Sequence, residues 1–180
     1  MTSTSLDDFI ATARSAWSDG GTGLVEACTA ALAKLSRVDA CEKWLAALHS
    51  EKPATRELHR DARGFVLLAH TENEALYRPP HDHGRAWVVY AVQSGALEVG
   101  TYEKVTGPDG ETRLLERNRS VLRPGEARAY LVGEVHDTRC LSETALLFRF
   151  TERDLRHEDQ VEGKLTRFVM RGGDWVASHP

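Results

Sequence analysis

Residues 78–104 read RPPHDHGRAWVVYAVQSGALEVGTYEK, in which a proline-flanked His-Asp-His triplet is followed at once by two short apolar segments, 87–92 and 97–104. Both segments have strand length, contain β-branched and aromatic residues, and are separated by Gly95. Similar segments continue along the chain, with turn signals at 107–110 and 124–125. Because no helical pattern alternates with these strands, the sequence predicts an antiparallel β-sandwich or barrel rather than a parallel sheet.

The predicted strands cover residues 65–69, 87–92, 97–104, 112–116, 119–122, 127–131, 146–150 and 165–170. The N-terminal part differs, because residues 5–50 lack proline and carry apolar side chains at helical intervals. They predict helices over about 6–17, 23–35 and 39–49, the first capped by Ser5. We therefore expect a single domain in which the helices of residues 1–50 pack on a mainly β barrel of residues 51–180. Its charged C-terminal extension, residues 152–162, is expected to be exposed.

The composition restricts the partners and the location of the chain. Its 180 residues are 41% hydrophobic and 28% charged, which is typical of a globular domain. A formal net charge of -4 gives no reason to expect nucleic acid or an anionic membrane as a partner. No apolar run has the length of a membrane span, and the first residues lack the features of a secretory signal, so we expect a cytoplasmic protein.

The histidine pattern predicts a metal site. In an extended segment, His81 and His83 point to one face while Asp82 points to the other, so two imidazoles can meet at one ion. His136 is the expected third ligand, because turn signals bracket a strand there that could run beside the first. Three neutral imidazoles suit iron, zinc, copper or nickel and leave coordination positions open. The alternative is a pair of loop histidines, because HxH alone is a weak motif.

The other histidines lack a partner at a useful spacing. We interpret them as surface or packing residues: His49, His59, His70, His157 and His179. The cysteines have no CxxC spacing and indicate neither a disulfide framework nor a cysteine zinc site.

Residues 78–104 resemble the first metal motif of the cupin superfamily, and in particular that of the cysteine dioxygenase-like thiol dioxygenases. The shared features are the proline-flanked HDHG, the glycine before the second strand and the aromatic residue near its end. The resemblance extends over roughly residues 50–150, including 55–58, 123–125 and the single His136. It implies a double-stranded β-helix, the jelly-roll barrel of cupins, preceded by N-terminal helices.

The resemblance also implies roles for individual residues. His81, His83 and His136 match the three histidines that hold Fe²⁺ in these enzymes. Arg56 matches a guanidinium that binds a substrate carboxylate, which a planar fork can do bidentately. A solvated arginine beside neighbouring charges is the alternative reading of Arg56.

Two features depart from the family. A crosslinking cysteine would fall near Val88, so no such crosslink can form. The strand 145–150 stands where thiol dioxygenases carry an alternating Ser, His, Tyr relay, and period two predicts Leu146, Phe148 and Phe150 at its inward positions. Phe148 and Phe150 would then line the substrate site, with Tyr90 and Tyr130 as candidate phenol groups from other strands.

These observations favour a mononuclear non-haem iron dioxygenase, an oxidoreductase that takes a small-molecule substrate and dioxygen. A thiol acid such as cysteine or 3-mercaptopropionate is the family's substrate class, whereas a less polar diketone would suit the phenylalanines better. A different class stays open: a metal-containing cupin that binds or senses a small molecule without turnover, for which Zn²⁺ or Ni²⁺ is a suitable ion. A third interpretation is an isomerase-like cupin in which the metal acts as a Lewis acid. A homodimer is compatible with all three of these functions.

Overall fold

The computed structural model describes residues 3–19, 21 and 23–178 and begins with three helices. These are α1 Ser5–Asp19, α2 Leu24–Leu35 and α3 Lys43–Glu51. Thr4, and not Ser5, caps α1: its hydroxyl accepts a hydrogen bond from the Asp7 amide, and its own amide donates to the Asp7 carboxylate. This reciprocal pair is a capping box built with Asp7, and it leaves the Ser5 hydroxyl free to donate to Glu42 on the loop before α3.

Eleven strands and one short helix follow within the described residues. They are β1 Arg56–Arg60, β2 Val66–Asn73, β3 Tyr77–His81, β4 Val88–Ser94, β5 Leu97–Thr106, β6 Thr112–Leu122, β7 Ala127–Tyr130, β8 Val135–Cys140, β9 Thr144–Thr151, α4 Leu155–Gln160, β10 Arg167–Arg171 and β11 Asp174–Ser178. The predicted strands 112–116 and 119–122 form one continuous strand, β6. None of the described helices is long and apolar enough to cross a membrane.

The strands form two antiparallel sheets. One has the order β1-β2-β9-β4-β7, and the other, β10-β11-β6-β5-β8-β3, closes on itself through β10 and β3. Within these sheets the quartets β2-β9-β4-β7 and β3-β8-β5-β6 face each other. The chain alternates between them, except at the β5–β6 hairpin, as in a jelly roll. The predicted fold class, a mainly β jelly-roll barrel with N-terminal helices, is confirmed.

The helices cover the outer face of the five-stranded sheet, and this covered face is apolar. Phe9, Ala13 and Leu32 from the helices pack against Leu67, Phe148 and other residues of β2, β4 and β9. A second cluster, including Val88, Val99 and Leu147, lies between the two sheets. The helices thus form an additional layer packed on the outside of the barrel.

The segment 152–162 is not uniformly exposed as expected from its charge. It contains α4, and the carboxylate of Glu158 in that helix is buried and accepts hydrogen bonds from the amide and guanidinium of Arg85. These interactions lower the pKa of Glu158 to about 2. Hydrogen bonding therefore docks this charged segment against the loop that follows His83.

A substitution of Phe150 tests whether this residue belongs to the core between the helices and the five-stranded sheet. It is fully buried, and its ring lies 5.3 Å from the rings of both Phe9 and Phe65. Phe150→Leu should lower the free energy of unfolding by about 1 kcal/mol through poorer packing, with no change in metal content. Urea denaturation and metal analysis measure both quantities. A variant of unchanged stability that has lost metal would contradict the placement of Phe150 under the helices.

Candidate metal centre and its cavity

Three imidazoles converge between the two sheets. His81 ends β3, His83 follows two residues later, and His136 lies on β8 directly opposite His81 in the β3–β8 pairing. One ring nitrogen from each histidine lies within 4.8 Å of the other two. The ring centroids are 4.9–5.2 Å apart. The structure therefore brings together the three histidines predicted as metal ligands, in a group that could hold a single ion.

Asp82 points away from the three imidazoles and holds the segment 81–83 in place through its hydrogen bonds. Its buried carboxylate accepts hydrogen bonds from the Lys104 ammonium and the Thr166 amide, both at 2.8 Å. Gly84, which follows, has a positive φ of 63° and makes the turn towards β4. The alternation along the segment thus directs His81 and His83 inward while Asp82 ties the segment to its neighbours.

The protonation states of the three histidines fit a metal. His81 Nδ1 lies 2.9 Å from the Pro79 carbonyl oxygen, to which it must donate, so its Nε2 keeps a free lone pair. Both ring nitrogens of His136 and the Nδ1 of His83 are buried without a hydrogen-bond partner in the described part of the chain. Burial holds the pKa values of His83 and His136 well below the ordinary value, which keeps both imidazoles neutral. Neutral imidazoles with unsatisfied nitrogens are the form that ligates divalent metals.

A cavity of about 660 Å³ opens beside this group. His81, His83 and Tyr90 contribute to its lining, and apolar side chains such as Leu147 and Phe168 cover part of its wall. The volume is in the range of small-molecule sites.

The two predicted phenol groups have different surroundings. The Tyr90 hydroxyl is 3.3 Å from His83 Nε2 and lines the cavity. Tyr130 lies outside the cavity lining, and its ring centroid is 3.8 Å from that of His136. Burial raises the pKa values of both phenols, so both are protonated. Tyr90 can contact a ligand, whereas Tyr130 supports the His136 ring.

Phe148 and Phe150 were expected to point inward from β9, but they do not line the cavity. Phe148 packs against Trp44 of α3, with ring centroids 5.8 Å apart, and both phenylalanines belong to the core beneath the helices. Leu147 and Arg149 occupy the inward positions instead. Because neighbouring residues of a strand point to opposite faces, the predicted face of β9 was wrong by one residue.

Arg56 does not reach the cavity either. It lies on β1 opposite Ala69, a residue of the core beneath the helices, and its partly exposed guanidinium pairs with Glu51. Its neighbour Thr55 lines the cavity. The prediction that Arg56 binds a substrate carboxylate is therefore wrong, because Arg56 is on the outer face of its strand.

Four other arginines line the cavity and were missed: Arg78, Arg149, Arg156 and Arg167. Arg156 is exposed and donates a hydrogen bond to Gln160. Arg78 pairs with Glu72 at 2.8 Å, and Arg167 pairs with Asp159 at 2.6 Å. Arg149 forms no ion pair within the described residues, and its Nε is buried without a hydrogen-bond partner. It lies opposite Tyr90 in the β4–β9 pairing. The correct face of β9 would have identified Arg149 as a strand arginine of the cavity that no carboxylate of the described residues pairs with.

The remaining histidines are dispersed. His49 lies on α3, His59 contacts Asp61, and His157 lies on the short helix α4. His179 is outside the described residues. His70 alone among them lines the cavity, so its interpretation as a packing residue is incomplete.

No family model and no curated protein matches the chain. Solved structures that are similar to it include the cupin domain of Cnp3 from Schizosaccharomyces pombe, at 10% identity over 61% of this chain and 66% of that one, with a TM-score of 0.45. Oxalate oxidase in complex with glycolate matches at 23% identity over 56% of this chain and 50% of that one, with a TM-score of 0.42. KdgF from Halomonas sp. matches at 21% identity over 56% and 78%, with a TM-score of 0.40. The match spans about half to two thirds of the first two structures.

Proposed function

We propose that this protein is a mononuclear iron-dependent dioxygenase that acts on a small carboxylate-bearing molecule. The observation that carries the proposal is the group of three neutral histidines beside a cavity of about 660 Å³. The similarity of residues 78–104 to the thiol dioxygenases supports Fe²⁺ over Zn²⁺ or Ni²⁺. Iron held by three imidazoles would supply open coordination positions and one-electron chemistry for dioxygen.

The chain's own residues would prepare the substrate. Arg149 would bind a carboxylate through its planar guanidinium, whose Nε has no hydrogen-bond partner among the described residues. The protonated Tyr90 hydroxyl would donate a hydrogen bond to a ligand near His83. Leu147 and Phe168 would exclude water from the bound molecule. These contacts would orient a small acid with its far end towards the three histidines.

The corrected face of β9 changes the favoured substrate. A diketone was attractive only while Phe148 and Phe150 were expected to line the cavity, and they face the helices instead. Arg149 favours an acid. Cysteine would bring an ammonium group towards Arg149, which repels it and which no carboxylate of the described residues pairs with, whereas the charge of Arg78 is balanced by Glu72. A thiol acid without an amino group is therefore preferred.

Oxygen consumption tests this proposal. The protein is loaded with Fe²⁺ without air and then given oxygen with 3-mercaptopropionate, cysteine or acetylacetone. We expect 3-mercaptopropionate to be oxidised fastest, with one O₂ consumed per thiol and both oxygen atoms retained in the sulfinate (R–SH + O₂ → R–SO₂H). His136→Ala is the inactive control. Protein that binds both iron and the thiol acid but consumes no oxygen would be a binding or sensing protein instead.

A further inference from the structure

His70 lies in the same cavity, away from the three-histidine group. It is on β2, is 7% exposed, and stands opposite Leu147 in the β2–β9 pairing. Arg149 is two residues further along β9 and points to the same face. Diagonal neighbours of this kind lie roughly 7–8 Å apart, so one small molecule can contact both side chains.

The hydrogen bonds around Thr55 favour the Nδ1-protonated tautomer of His70. The Thr55 hydroxyl donates its only proton to the Ala54 carbonyl, at 2.8 Å. The same oxygen lies 3.0 Å from His70 Nδ1, so it can only accept there. Nδ1 therefore carries the hydrogen, and Nε2 carries a lone pair.

The lone pair of His70 Nε2 accepts no hydrogen bond from the described residues. His70 Nε2 is buried, and no hydrogen-bond partner for it exists in the described part of the chain. Burial, and then the positive charges of Arg149 and Arg78, lower the pKa of His70 to about 3. The imidazole is thus a neutral acceptor over the working range of most enzymes. A buried acceptor without a partner costs free energy unless a ligand satisfies it.

We propose that His70 Nε2 accepts a hydrogen bond from a neutral O–H or N–H group of the substrate, while Arg149 binds its carboxylate. The inference rests on the proposed function in taking this cavity as the substrate site. It adds a feature to the substrate class: besides the group that faces the three histidines, the acid carries an uncharged donor a few bonds from the carboxylate. A cationic donor is disfavoured by Arg149, which lines the cavity beside His70 without an ion pair among the described residues, whereas Glu72 balances the charge of Arg78.

Two measurements on protein carrying one equivalent of Zn²⁺ test the inference without turnover. Two-bond ¹H–¹⁵N correlation of the histidine rings reports the His70 tautomer directly. NMR titration then compares three probes that differ only at carbon 3: 3-hydroxypropionate, propionate and β-alanine. The variants are His70→Phe, His70→Gln, which keeps an acceptor near the Nε2 position, and the matched control His49→Phe, which lies outside the cavity.

We expect Nδ1 to be protonated and Nε2 unprotonated in the wild-type protein. 3-Hydroxypropionate should bind about three- to tenfold more tightly than propionate, and β-alanine should bind most weakly. His70→Phe should remove the preference for the hydroxyl, His70→Gln should keep part of it, and His49→Phe should keep all of it.

A protonated Nε2, a preference that persists in His70→Phe, or no binding of any of the three acids would overturn the inference. The tautomer measurement needs no variant, so it remains decisive if His70→Phe fails to fold. Metal content is determined on every sample. Zinc-loaded protein that fails these tests contradicts the role of His70, whereas protein that binds no metal contradicts the proposed metal centre.

Discussion

His136→Ala should weaken metal binding by on the order of a hundred- to a thousandfold, because it removes one of three nitrogen ligands from a preformed site. His136 is fully buried on β8, and both of its ring nitrogens lack a hydrogen-bond partner among the described residues. Metal content after dialysis against a weak chelator measures the effect, and circular dichroism reports whether the barrel is retained.

His70→Ala and His157→Ala are the matched controls, because neither histidine belongs to the three-histidine group. Both variants should keep the metal content of the wild-type protein. Full metal content in His136→Ala together with loss of metal in either control would place the ion elsewhere.

Arg149→Ala should weaken the binding of 3-mercaptopropionate by about ten- to a hundredfold, because a charge-assisted pair to a carboxylate is lost. Metal content should not change, since Arg149 is outside the three-histidine group. Arg149→Lys should recover only part of the affinity, because an ammonium lacks the planar fork. The Kd from titration of the zinc-loaded protein is the measured quantity.

Arg56→Ala is the control for this prediction. Arg56 pairs with Glu51 and does not line the cavity, so its loss should leave the Kd within about twofold of the wild-type value. The reverse result would be a raised Kd in Arg56→Ala and an unchanged Kd in Arg149→Ala. It would restore Arg56 as the residue that binds the carboxylate and contradict the face assigned to β9.

The metal group could be predicted from the sequence because its geometry is local. The His-Asp-His spacing places two side chains on one face of an extended segment, whatever the rest of the chain does. His136 required a non-local pairing, which the turn signals did not identify: they bracket β7, which pairs with β4. His136 lies on β8, which was not predicted as a strand, directly opposite His81.

The face of β9 could not be read in the same way. Residues 145–148 are apolar without alternation, and all four are buried, because helices cover one face and the barrel interior the other. A strand buried on both faces carries no periodic signal that separates them. Phe148 and Phe150 were therefore placed in the cavity, although they pack beneath the helices.

The same arrangement explains why His70 and Arg149 were missed. On β2 the outward residues Leu67 and Ala69 are apolar, whereas the inward His70 and Glu72 are polar and line the cavity. This is the reverse of the usual pattern for an exposed sheet, in which polar residues face outward. Only the position of the helices, which the strand sequences do not record, shows which face surrounds the site.

Anomalous diffraction at the iron edge, from crystals of protein loaded with Fe²⁺ without air, tests the metal centre most directly. The account predicts one peak per chain, between the ring nitrogens of His81, His83 and His136 and beside the cavity. An iron-loaded crystal with no peak between these three histidines, or with its peak bound by other side chains, would contradict it.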